Sequence, residues 1–191
     1  MPRSIATVVI LCVALLPATL GRASLIDALS VEDLTARSTL IIQGATVASD
    51  SHYDERGRIV TDVTLRIGET WKGTVTRGDL ITLRTLGGSV GDLAMTVPGE
   101  PVLVVGQELV LFARPSATEN LWRPVGMSQG TVPLRRLADG SVEGILGGQG
   151  LSRVVRDRAG NWTPAEVPAP MPLDELRDRV RTALRKEARE P

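Results

Sequence analysis

Hydrophobic and polar residues alternate most regularly along residues 59–67 of the chain. Polar side chains dominate one parity, and the apolar side chains that share the other parity are Ile59, Val63, Leu65 and Ile67. A period of two residues is typical of a strand with one buried face. The pattern therefore predicts a long, half-buried β-strand.

The end of this strand is less regular. Gly68 and Glu69 interrupt the apolar parity, which predicts a β-bulge or bend. Continuing the alternation places Trp71 on the same face as the apolar residues before it, in the core or at its rim. Lys72 and Gly73 then form the following turn, since glycine readily adopts a positive φ angle. The sequence leaves open whether these last three residues form a recognition surface or only end the strand.

Two further elements are predicted before this strand. Ser30 and Asp33 have the spacing of a capping box, which predicts a short helix with an apolar face formed by Val31, Leu34 and Thr35. Residues 39–47 are almost continuously apolar, as in a strand buried on both faces. Residues 49–57 are polar and predict a loop.

Short strands separated by turn residues follow along most of the chain. Asp139 and Gly140 give a strong hairpin signal, and residues 153–162 give a weaker one. The predicted strands are 79–86, 102–105, 108–114, 121–125, 131–137 and 141–145. Many short strands with regular turns indicate an all-β barrel or sandwich.

The two ends of the chain predict segments outside this β-rich part. Residues 1–23 have a basic start, an apolar stretch and small residues before Ser24, as in a secretory signal peptide. Residues 24–163 then form the β-barrel domain and 164–172 a proline-rich linker. Residues 173–191 predict an amphipathic carboxyl-terminal helix, whose apolar stripe is Leu173, Leu176, Val180, Ala183 and Leu184.

Composition excludes several kinds of function. The chain has 22 basic and 22 acidic residues, and loss of Arg3 and Arg22 with the signal peptide leaves a slightly acidic protein. Such a balance predicts no binding to nucleic acid or to an anionic membrane. The only cysteine, Cys12, lies inside the signal segment, so the mature chain has no disulfide and no thiolate metal site.

Three segments carry a resemblance to known proteins: TLIIQGATV at 39–47, IVTDVTLRIGETWKG at 59–73 and PGEPVLVVGQELVLFARP at 98–115. Together they resemble a group of uncharacterised secreted bacterial proteins. More distantly they resemble the netrin-module and tissue-inhibitor-of-metalloprotease domain. That resemblance implies a small OB-type barrel, that is, an oligonucleotide- or oligosaccharide-binding fold. Inhibitors of that family hold the protease zinc through an amino-terminal cysteine. The mature chain has no cysteine, so this mechanism does not carry over.

Catalytic motifs are weak in this sequence. Gly87, Ser89 and Gly91 match the Gly-x-Ser-x-Gly nucleophile elbow, but the required helix does not follow, and His52 precedes the serine. The alternative is a flexible glycine loop between strands. Residues 50–55 contain possible oxygen and imidazole ligands, yet their spacing fits no calcium loop, and one histidine does not make the usual zinc site. We therefore predict no metal and no cofactor.

These observations favour a secreted or periplasmic, non-enzymatic binding module. Its partner would be a secreted protein or extracellular polymer, with a link to a secreted protease as one form of this hypothesis. The rival hypotheses are a serine hydrolase that uses Ser89 with His52, and a structural envelope component. Loops on a rigid barrel usually carry recognition. The predicted binding residues are accordingly His52, Trp71, Lys72, Gly73, Gly87, Gly88 and Ser89.

Overall fold

The structure is a computed structural model that describes residues 25–117 and 121–189, so the predicted signal peptide lies outside the described part. Strands make up 45% and helices 16% of the described residues, which confirms a mainly β fold. The helices are α1 (Val31–Arg37), α2 (Leu173–Glu187) and a 3₁₀ turn at Met127–Gly130. The strands are β1 (Leu25–Asp27), β2 (Leu40–Tyr53), β3 (Ile59–Lys72), β4 (Leu80–Leu86), β5 (Gly88–Val90), β6 (Leu93–Met95), β7 (Glu108–Pro115), β8 (Trp122–Pro124), β9 (Thr131–Arg136), β10 (Val142–Gly144), β11 (Ser152–Arg156), β12 (Trp162–Pro164) and β13 (Met171–Pro172).

Five strands close into a barrel, in the order β7, β2, β3, β4 and β8. The short strand β8 closes the ring, because Trp122 pairs in parallel with Leu83 of β4 while β8 also pairs antiparallel with β7. A five-stranded Greek-key barrel is the architecture of the OB fold. The predicted OB-like barrel with two flanking helices is confirmed.

The remaining strands attach to this barrel. Strands β9, β10 and β13 extend the sheet outward from β7. Strands β5 and β6 form a separate hairpin, and β1, β11 and β12 form a third small sheet. In that third sheet, the predicted hairpin over residues 153–162 is confirmed by the antiparallel pairing of β11 with β12.

Two apolar cores lie on the two faces of the barrel wall. Along β2, Leu40 and Ile42 point into the barrel, whereas Ile41 points outward and packs under the helices. Strand β7 alternates in the same way, with Leu111 inside and Phe112 outside. Residues 40–42 of β2 and 109–113 of β7 are therefore buried on both faces, as the continuous apolar run at 39–47 predicted for β2. The outer core is what attaches α1 and α2 to the barrel.

Capping and burial explain why the helices form where they do. The Ser30 hydroxyl accepts the Asp33 backbone N–H, and the Asp33 carboxylate accepts the Ser30 N–H, so the predicted capping box is present. The apolar face that α1 buries is the predicted one. Helix α2 starts at Leu173 and buries Leu176 and Val180 completely.

The structure corrects the prediction for two segments. Residues 49–53 continue β2 as a strand, because main-chain bonds to residues 59–63 hold the hairpin together without an apolar face. The loop is therefore confined to the tip at residues 54–58. Residues 102–105 form no strand, and only Leu103 of this segment enters the inner core, while its valines are exposed.

The predicted bulge at Gly68 is present, since Glu69 pairs with Gln43 while Ile67 pairs with the next residue, Gly44. A bulge of one residue exchanges the faces of the residues that follow it, here as far as a second register shift at Trp71. Ile67 consequently faces the inner core, whereas Trp71 packs against the outer core under α2. The prediction that Trp71 lies on the face of the preceding apolar residues was wrong for this reason.

Candidate functional site

A cleft of about 860 Å³ opens between the hairpin tip at residues 54–58 and Ser116 and Ala117, which follow β7. In OB barrels, the loops that follow the first and fourth strands flank the ligand-binding face. Among the described residues, five arginines line the cleft, against two carboxylates, those of Asp54 and Glu55. The arginines are Arg56, Arg58, Arg84, Arg114 and Arg123. We call this feature the arginine cleft.

Asp54 shapes the hairpin tip that forms one wall. Its Oδ1 accepts the backbone N–H groups of Arg56 at 3.0 Å and Arg58 at 2.8 Å. Its Oδ2 also pairs with the Arg58 guanidinium at 2.7 Å. The N–H and side chain of Arg58, with a smaller contribution from the Arg56 N–H, hold the pKa of Asp54 below its ordinary value. The tip is therefore a tight turn that projects Arg56 into solvent.

Arg84 on β4 is held more firmly. It lies directly across the sheet from Asp62 and donates to both carboxylate oxygens, at 2.6 and 2.7 Å. Its side chain is 13% exposed. The ring of His52 lies beside this pair, with Nε2 3.3 Å from an Arg84 nitrogen and 3.8 Å from Asp62. This wall of the cleft is consequently rigid and already charge-balanced.

The opposite wall carries two neighbouring arginines. Arg114 on β7 and Arg123 on β8 are directly opposite each other in the ladder, so their side chains project to the same face. Arg123 already interacts with other groups, and its charge opposes the rise that burial causes in the pKa of the Glu100 carboxyl. Within the described residues, the guanidiniums of Arg114 and Arg56 have no ion-pair or hydrogen-bond partner. The cleft therefore carries positive charge that the described part of the chain does not fully compensate.

A second cavity of about 370 Å³ lies at the mouth of the barrel, beneath the β5–β6 hairpin. Hydroxyl side chains line it, together with Glu100 and inner-core residues such as Leu103. Burial raises the pKa of Glu100, while the Leu86 N–H and the charge of Arg123 act in the opposite direction. We call this cavity the hydroxyl groove; its hydroxyl residues are Ser49, Ser51, Thr61, Thr85, Ser89 and Thr96.

The structure separates the predicted binding residues into three places. His52 lines the arginine cleft, and Gly87, Gly88 and Ser89 line the hydroxyl groove. Ser51, the neighbour of His52, also lines the groove, and successive residues of a strand point to opposite faces. His52 and Ser89 thus line different cavities, and this geometry gives no support to a Ser89–His52 dyad.

Trp71, Lys72 and Gly73 lie at the other end of the long hairpin. Arg177 of α2 stacks 5.4 Å above the Trp71 ring. The Lys72 ammonium donates to the carbonyl of Thr35 at 3.1 Å and to Glu187 at 3.0 Å. Gly73 has a φ of +107° where a Cβ would press on the Leu40 side chain. These contacts attach both helices to the barrel.

Sequence reasoning missed the arginines of the cleft. These arginines lie far apart in the sequence. The wall that carries Arg114 and Arg123 exists only because β8 closes the barrel. The sequence did contain one signal, Arg56-Gly57-Arg58 in a predicted loop. In an OB fold, a loop at this position flanks the binding face. No group of three potential metal-ligating side chains occurs within residues 25–117 and 121–189. The same residues contain no helix long and apolar enough to cross a membrane.

Fold and cleft together define a small, closed β-barrel protein with a cleft that is lined mainly by arginines. No protein-family model matches the chain, and no curated protein matches it in sequence. The resemblances carried by the short motifs therefore stay predictions.

Proposed function

We propose that this protein is a non-enzymatic binding module that holds a negatively charged ligand in the arginine cleft. The observation that carries the proposal is that Arg56 and Arg114 line one cleft with three further arginines and that their guanidiniums have no ion-pair or hydrogen-bond partner within the described residues. An anion placed beside these two guanidiniums would receive charge-assisted hydrogen bonds from them.

The chemistry of the side chains supports binding over catalysis. Guanidinium groups stay protonated at physiological pH and present paired N–H donors that match carboxylate, sulfate or phosphate oxygens. The fixed Arg84–Asp62 pair gives the cleft a rigid side, and the exposed Arg56 and Arg114 give it adaptable donors. A rigid barrel with charged loops is a frequent arrangement for recognition.

The sequence features of a signal peptide favour a location outside the cytoplasm. We accordingly propose an extracellular or periplasmic partner, either a polymer or a protein segment, that carries acidic groups. The serine hydrolase alternative receives no support from the separate positions of His52 and Ser89.

The test is a binding titration by calorimetry with two acidic probes, a polyuronate and poly-glutamate, and with neutral dextran. The mature chain would be compared with the double variant Arg56→Ser/Arg114→Ser. We expect at least about tenfold weaker binding of the acidic probes to this variant, since hydrogen bonds to charged groups each contribute about 1.5–3 kcal/mol. Dextran should not bind in the cleft.

The matched control is Arg66→Ser/Arg185→Ser, which removes the same charge from two exposed arginines outside the cleft. It should retain nearly normal affinity. Equal losses in the two double variants, or no binding of either acidic probe, would refute the arginine cleft as the site.

A further inference from the structure

The hydroxyl groove and the arginine cleft are adjacent, and Leu86 lines both. Their chemistry differs sharply. Arginines dominate the cleft, whereas Glu100 contributes the only charged side chain among the described residues that line the groove. An acidic group is thus attracted to the first cavity and disfavoured in the second. A ligand that fills both must have charged and uncharged parts.

The hydrogen-bonding state of the groove indicates what the uncharged part contains. The Thr61 hydroxyl donates to the carbonyl of Gly87 at 2.6 Å, so the Ser51 hydroxyl donates to Thr61 at 2.9 Å. Oxygen lone pairs of Ser51 remain as acceptors. Within the described residues the hydroxyls of Ser49 and Ser89 have no hydrogen-bond partner. This surface can both accept from and donate to a ligand rich in hydroxyl groups.

Apolar atoms complete the groove in a way that suits a sugar ring. Val63 and Leu103 form its floor, and Val97 and Met95 stand at its sides. A sugar has polar edges and C–H faces, so a mixed lining of hydroxyl and aliphatic groups matches both. The two cavities, at about 860 and 370 Å³, lie in the range of about 300–1,000 Å³ that ligand sites occupy.

We propose that the hydroxyl groove is a second subsite that binds an uncharged sugar residue next to the acidic sugar held by the arginine cleft, so that the ligand is an acidic polysaccharide. This inference rests on the function proposed above and specifies its ligand. Single-stranded nucleic acid fits less well, because its recognition relies on several stacking aromatics. Tyr53 is the only aromatic side chain among the described residues lining either cavity.

The experiment compares four probes by calorimetry: a hexasaccharide of alternating uronic acid and N-acetylhexosamine, its disaccharide, poly-glutamate and a single-stranded oligonucleotide. The protein would be the mature chain, the groove variant Ser51→Ala/Ser89→Ala and the control Ser152→Ala, an exposed serine on β11 outside both cavities. All three should show the same circular dichroism spectrum.

We expect the hexasaccharide to bind the mature chain at least about tenfold more tightly than the disaccharide, and the groove variant to lose about that factor. The Ser152→Ala variant should bind the hexasaccharide as tightly as the mature chain does. The groove variant should bind poly-glutamate with unchanged affinity. If the groove variant binds the hexasaccharide as tightly as the mature chain does, or the oligonucleotide binds more tightly than the hexasaccharide, the sugar subsite is refuted. The function of the arginine cleft would then still stand on its own arginine variants. Failure of every acidic probe to bind would refute both proposals.

Discussion

Gly88 is the residue on which the wall of the hydroxyl groove most depends. Its φ is +132°, and a Cβ there would collide with the hydroxyls of Ser51 and Thr61. Gly91, in the turn of the same hairpin, has a φ of +58° and nothing within 4 Å of a Cβ. Gly91 therefore measures the cost of a left-handed backbone without crowding, whereas Gly88 combines crowding with a φ outside the left-handed region.

We predict that Gly91→Ala lowers the free energy of unfolding by about 1–2 kcal/mol, from the left-handed backbone alone. Gly88→Ala should cost a further 1–3 kcal/mol or so, because the added methyl group forces its neighbours apart and a φ of +132° lies outside the left-handed region. Urea denaturation of the two variants measures the difference. Equal losses would show that the hairpin moves to accommodate the methyl group.

Glu100 gives a prediction about pH. Burial raises the pKa of Glu100 in the folded state above its unfolded value of about 4.3. The ionised carboxylate therefore lowers the stability of the fold as the pH rises above the unfolded value. Glu100→Gln keeps an oxygen that can accept the Leu86 N–H and removes the buried charge. We expect the variant to melt at a higher temperature than the wild type at pH 7. The advantage should shrink as the pH falls toward 4, where the wild-type carboxyl is protonated.

The control for this pH effect is Glu166→Gln, since Glu166 is exposed. Its melting temperature should follow the wild type across the same pH range. A Glu100→Gln variant that is less stable at pH 7 would show that the carboxylate charge, set against Arg123, stabilises the fold.

Trp71 shows how far residue patterns extend in this chain. The alternation at residues 59–67 correctly predicted the inner face of β3, and the Gly68-Glu69 interruption correctly predicted a bulge. The predicted face of Trp71 was nevertheless wrong. The inserted residue moves Trp71 to the opposite face of the strand. Local patterns thus locate an irregularity more readily than they predict its effect on the residues beyond it.

At the level of elements, α2 is fixed to the barrel by Leu176, which is completely buried in the outer core. Leu176→Ala should lower the free energy of unfolding by about 2–5 kcal/mol, the usual range for a truncated core leucine. Leu137→Ala is the matched control, because Leu137 is 39% exposed and should lose about 1 kcal/mol or less. Chemical denaturation measures both. Similar losses would mean that α2 contributes little to the stability of the barrel.

Element positions were more predictable than element partners. The capping box at Ser30 and the apolar stripe of α2 identified both helices from local spacing. The closure of the barrel depends on the three-residue strand β8 meeting β4 and β7, and a strand that short has almost no periodic signal. Since that closure brings Arg123 beside Arg114, the arginine cleft could not be predicted from local patterns.

For the whole molecule, the balance of 22 basic and 22 acidic residues leaves little net field to attract a polyanion from a distance. Attraction should arise only near the cleft, over a Debye length of about 10 Å at 0.1 M salt. We predict that polyuronate affinity falls as sodium chloride rises from about 0.05 to 0.5 M. The dependence should be shallower for Arg56→Ser/Arg114→Ser. Parallel salt dependences would place the electrostatic contact elsewhere.

The 14 residues of β3 run from the cleft at Ile59 to the helices at Lys72. At about 3.3 Å per residue, the strand separates these two ends by roughly 40 Å of its length. A surface, bead or fused domain attached beyond α2 would therefore lie at the end of the barrel opposite the arginine cleft. The cleft would stay exposed to solvent. The protein could then be immobilised through its carboxyl-terminal helix and still bind a polymer too large to diffuse.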